Sequence, residues 1–147
     1  MRFSDRNKMS PTALAIMCYC LSLCPLIAGA ADIIVNESVP AVHYSRADAC
    51  AIFGMHLRLW PNGEPIKVLT LTDDNPVHKE FVKSNLHMFP HQLRRAWDRM
   101  IYTGTGVAPI QLGSEREMIE KIMTTPNAIG YVNKKPDNAH IRLLDYQ

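Results

Sequence analysis

Ile66-Lys67-Val68-Leu69-Thr70-Leu71-Thr72, then Asp73-Asp74-Asn75-Pro76, then Val77 to Leu86, is the stretch that decides the fold. The first seven residues are β-branched and apolar enough to read as the clearest strand in the chain. Asp74 or Asn75 can cap a helix, and Pro76 fits its first turn, where a missing N–H costs nothing. Val77/Phe81 and Val82/Leu86 then recur at i, i+4 and give that helix an apolar face. A strand running through a short acidic turn into a helix is the repeating unit of an α/β sheet.

Toward the C-terminus, Leu93, Ala96, Trp97, Met100 and Ile101 recur at i, i+3, i+4, i+7 and i+8 and form one stripe of a second helix opened by Pro90. The glycines of Tyr102-Thr103-Gly104-Thr105-Gly106 stop that helix, and the loop is expected to free several backbone N–H groups. Ser114-Glu115-Arg116-Glu117 reads as a capping box for a further helix with Met118, Ile119, Ile122 and Met123 inward. Ala128–Val132 and Ile141–Leu144 read as two late strands. Toward the N-terminus, Asp32–Asn36 reads as a buried strand. Ser45 caps a helix from Arg46 to about Phe53, expected to turn Ala47, Cys50 and Ala51 inward. Alternating strands and helices with no repeats or low-complexity linkers argue for one α/β domain.

The first thirty residues stand apart. Arg2, Arg6 and Lys8, an apolar run from Ala13 to Ile27, and Ala28-Gly29-Ala30 form a secretory signal with cleavage expected after Ala30. The domain is then 31–147, in the periplasm. Leu23 is bulky for the position before a lipidated cysteine, which weighs against a lipid on Cys24. The leader holds three basic residues and one acidic one, so the rest of the chain is neutral. No basic stripe is left to draw in nucleic acid or anionic lipid. Cys18, Cys20 and Cys24 leave with the leader, and Cys50 has no internal partner.

Catalytic signals are weak. No Gly-x-Ser-x-Gly elbow or nucleotide-binding glycine loop occurs. The six histidines lack carboxylate or cysteine partners at ligand spacing and read mostly as surface residues. No cofactor, no metal and no enzymatic activity are expected. Helix starts and turns can instead hold an anion on backbone N–H groups. The candidates are Ser45 with Arg46, the loop Thr103, Gly104, Thr105 and Gly106, and Ser114. Each also serves as a plain cap or turn.

Ala51-Ile52-Phe53-Gly54, Trp60-Pro61-Asn62-Gly63, Phe81, Trp97, Ile101-Tyr102-Thr103-Gly104 and Asn127-Ala128-Ile129-Gly130-Tyr131-Val132 together resemble the phosphate-binding proteins of bacterial ABC transporters, which are type II periplasmic binding proteins. Their short single-lobe relatives are the nearest likeness, from about Ile33 to Leu144. The resemblance implies one lobe of that fold, a mixed sheet flanked by helices. It implies a small inorganic anion such as phosphate as ligand, an ABC transporter permease or other envelope protein as partner, and self-association in place of a second lobe. The rival expectation is an interaction module that kept the lobe and lost the ligand; a hydrolase ranks third. One departure matters. Full-length relatives carry Arg and Ser-Gly-Thr at the strand-to-helix turn that holds phosphate, where this chain has Thr72-Asp73-Asp74-Asn75-Pro76. Its two carboxylates are expected to repel an anion from that helix start.

Overall fold

The computed structural model describes residues 30–144. The expected leader, apart from Ala30, lies outside the described residues, as do Cys18, Cys20 and Cys24. Five strands form one sheet: β1 Asp32–Asn36, β2 Lys67–Leu71, β3 Ile110–Leu112, β4 Ala128–Val132 and β5 Ile141–Leu143. Four helices connect them among the described residues: α1 Arg46–Phe53, α2 Pro76–Ser84, α3 Pro90–Tyr102 and α4 Glu115–Thr124. None of these helices is long and apolar enough to cross a membrane.

The strand order is β3-β2-β4-β1-β5. β2 runs parallel to both neighbours, with Leu69 opposite Ile110 and Lys67 opposite Ala128. β1 is antiparallel to β4 and to β5. The sheet is therefore mixed, with one reversed strand inserted beside the parallel set.

The alternation of β4 divides the helices between two faces. Gly130 points at α4, where an added Cβ would run into the Met118 sulfur and just touch Ile122. Tyr131 points the other way, stacked on Phe81 of α2 at 3.8 Å and edge-on to Phe53 of α1 at 5.9 Å. Trp97 of α3 closes that cluster by donating its indole N–H to the Phe53 carbonyl at 2.6 Å. With helices on both faces, β4 is buried along its whole length.

Several sequence expectations shift by a residue or a face. In α1 the buried residues are Ala49, Ile52 and Phe53, while Ala47 is exposed, because Phe53 and Ile52 are the larger payload. α2 ends at Ser84; Asn85 caps it, still in helical conformation with its N–H on the Phe81 carbonyl, and its side chain binds both the N–H and the carbonyl of Ala31. Leu93 and Trp97 are the buried part of the α3 stripe, whereas Ile101 is exposed. Met118 and Ile122 are the buried part of α4, and Met123 is exposed. β3 was not expected as a strand; three residues after Val107-Ala108-Pro109 carry too little pattern to read.

Candidate functional site

β2 leads through α2 and α3 to β3 on one side, and β3 returns through α4 to β4 on the other. The chain thus reverses its winding around β2, which puts a topological switch point at the carboxyl ends of β2 and β4. The turn Thr72–Asn75 and the start of α2 sit at this edge. Asn75 caps α2 by accepting the Val77 N–H at 2.9 Å. Gly113-Ser114, at the end of β3, and Asn133, at the end of β4, lie along the same edge.

A chain of polar contacts runs from the core to this edge. The buried Tyr131 hydroxyl accepts the Leu71 N–H at 2.9 Å. Its own proton is therefore available to His78 Nδ1, 2.6 Å away. Accepting at Nδ1 leaves a neutral His78 protonated at Nε2, which faces Asp73 Oδ1 at 3.9 Å. The other Asp73 oxygen, Oδ2, accepts from Arg94 Nε at 2.9 Å and Nη2 at 2.7 Å. The Arg94 guanidinium lies 5.3 Å from the centre of the Trp97 ring.

Burial sets the electrostatics of this cluster. His78 is 1% exposed, and loss of hydration pushes its imidazole below the ordinary value, with Arg94 acting the same way and Asp73 opposing. Burial likewise pushes the Tyr131 phenol up, so it stays a donor. Asp74 is exposed and held low by the Thr72 hydroxyl and by its own backbone. The two acids expected to act alike at this turn do not: Asp73 is paired with Arg94, and Asp74 makes no ion pair among the described residues.

The rest of the edge is furnished by the chain's own carboxylates. Glu117 accepts the Gly113 N–H at 2.7 Å, Glu115 accepts the Asn133 N–H at 2.6 Å, and Asp32 accepts the Lys135 N–H at 2.7 Å. Ser114 caps α4 by accepting the Glu117 N–H at 3.3 Å. The expected reciprocal bond is absent because the Glu117 side chain reaches Gly113 instead.

The candidate anion residues are not brought together. Ser114 is at the carboxyl edge. Ser45 is engaged in a full capping box with Asp48, and Arg46 follows it on the exposed start of α1. Thr103, Gly104, Thr105 and Gly106 lie toward the opposite, amino edge, where Arg58 donates to the Thr105 carbonyl. The sequence suggested free N–H groups in this loop, but they are engaged. Thr103 donates to Arg99, Gly104 to Ile101, and both Thr105 and Gly106 to Met100, each at 3.0 Å. The loop spends its donors on capping α3.

His78, Arg94 and Tyr131 are the residues that sequence reasoning missed. His78 had a readable signal, since 78, 81, 82 and 85 follow helical spacing and all four are buried. The polar position of Arg94 on α3 and the place of Tyr131 in an apolar strand carry no comparable sign.

No family model matches the chain, and no curated protein does. Solved structures do match. PstS from Borrelia burgdorferi superposes with a TM-score of 0.52 at 15% identity, over 70% of this chain and 40% of its own. A protein assigned as a phosphate ABC transporter substrate-binding protein, from Clostridium perfringens and solved with bound phosphate, superposes with a TM-score of 0.63 at 13% identity, over 80% of this chain and 44% of its own. The fold is that of one lobe of such a substrate-binding protein. The chain spans less than half the length of either neighbour. At this identity the likeness concerns the fold, and any ligand chemistry has to come from the residues of this lobe.

Proposed function

We propose that this chain is an exported, non-catalytic receptor lobe for a small oxyanion of the phosphate class, acting with an ABC transporter at the bacterial inner membrane. The observation that carries the reading is the superposition on a phosphate-bound substrate-binding protein. We place the ligand at the carboxyl edge, the switch-point edge that carries the start of α2, Ser114 and Arg94. The basic and apolar pattern of the first thirty residues supports export to the periplasm. At the far edge Tyr102 and Val107 are 94% and 87% exposed, an apolar surface on which a second copy or an envelope partner would pack.

The occupancy of this edge by Glu115, Glu117, Asp32 and Asp73 favours a second reading, in which the lobe has become an interaction module and the carboxylates stand where an anion would. Calorimetric titration with phosphate, and sulfate as competitor, separates the two. Saturable heat supports the receptor, and its absence with both anions supports the module.

A further inference from the structure

We infer that His78 is a proton switch for the Asp73–Arg94 pair: protonation draws the Asp73 carboxylate to the imidazolium and releases the Arg94 guanidinium at the carboxyl edge. The groups facing the imidazole are Tyr131 from β4, Asp73 from the turn after β2, and Arg94 with the Trp97 ring from α3. In the neutral state Nδ1 accepts from Tyr131, and Nε2 faces an Asp73 Oδ1 that is shielded from solvent and has no hydrogen-bond partner among the described residues. A proton taken from solvent goes to Nδ1. The phenol, which already accepts the Leu71 N–H, then also accepts from the ring, and its own proton loses its acceptor. The imidazolium is left buried with one carboxylate at hand.

The separation of 3.9 Å is too long for a charge-assisted bond, which settles at roughly 2.7–2.9 Å. Closing it takes a rotation of the Asp73 carboxylate. Both Arg94 donors rest on Oδ2 alone, so that rotation carries their acceptor away. Asp73 and Arg94 side chains are 45% and 37% exposed, and an ion pair this open to water is weakly held. A buried imidazolium needs its counter-charge far more. The carboxylate therefore follows the proton.

The switch operates without a ligand. Its consequence, stronger anion binding in acid, rests on the receptor reading. The test is an NMR titration of the full chain, following the His78 ring and the Arg94 side-chain N–H signals from pH 8 to 5. Arg94 should shift with the midpoint of His78, below the ordinary imidazole value of about 6.5. His78→Gln should leave Arg94 flat across that range. Tyr131→Phe, which removes the partner of Nδ1 in both states of the ring, should move the two midpoints together and by the same amount, and serves if the glutamine variant does not fold. An Arg94 shift that persists in His78→Gln would overturn the switch. So would separate midpoints, or tertiary signals lost before His78 titrates. Sulfate, whose charge is constant over this range, is then titrated across the same pH values. Affinity rising through the His78 midpoint supports the consequence. Sulfate that never binds, with the NMR coupling intact, would refute the receptor reading and leave the switch standing.

Discussion

At Tyr131 one hydroxyl serves two elements, accepting the Leu71 amide of β2 and donating to His78 of α2. Tyr131→Phe keeps the stacked ring but leaves a buried N–H unpaired, and should cost about 1–3 kcal/mol in chemical denaturation. Trp97 fills the centre of the same cluster and also donates to Phe53. Trp97→Ala should cost about 3–5 kcal/mol, enough to unfold a lobe of ordinary stability. A folded Trp97→Ala protein would show that the cluster is not the core of the lobe. His78 gives a pH dependence of known sign. Its folded value lies below the unfolded one, so the unfolded chain binds more protons as the pH falls. The stability it supports is present above about pH 6.5 and is lost as the pH drops through the folded value. Melting temperatures should decline from pH 7.5 to 5 in wild type and decline less in His78→Gln.

At the scale of elements, α4 is held against the sheet near its C-terminal end and at its middle. Asn36 of β1 donates its amide to the Ile122 carbonyl at 2.7 Å, tying down the end of the helix. Gly130 lets the middle of α4 approach β4 closely. Gly130→Ala should cost about 1–3 kcal/mol by overpacking, because the new methyl would overlap the Met118 side chain, which is itself fully buried with little room to shift. Unfolding by urea checks it, and an unchanged midpoint would mean that α4 sits loosely on the sheet. Most element identities are legible in the chain, since periodicity and caps are local properties. Asn75-Pro76 marks a helix start and Ile129–Val132 a buried strand without any tertiary information. What periodicity does not specify is which apolar residue of a short helix wins the core. Ala49 with Ile52 and Phe53 took it from Ala47 because β4 offers a face to the larger side chains. A three-residue edge strand such as β3 is likewise defined by its partner β2 rather than by its own sequence.

For the molecule as a whole, the candidate site was less legible than the fold, and the reason is spatial. Free donors were expected in the Thr103–Gly106 loop because glycines and threonines suggest an open turn, yet the α3 carbonyls consume those donors. Repulsion was expected from both Asp73 and Asp74, yet Arg94, twenty-one positions from Asp73, neutralises the first. Such a pairing is set by how α3 lies against the start of α2, which no local pattern encodes. In the proposed receptor, the charge on Asp73 is what keeps Arg94 from an anion at this edge. The most direct test is therefore calorimetric titration of phosphate into wild type and Asp73→Asn at neutral pH. The asparagine releases the guanidinium with its positive charge uncompensated, so binding should tighten at least about tenfold, roughly 1.4 kcal/mol, over a weak wild-type affinity. No measurable heat in either protein would contradict the receptor account and leave the lobe as an interaction module.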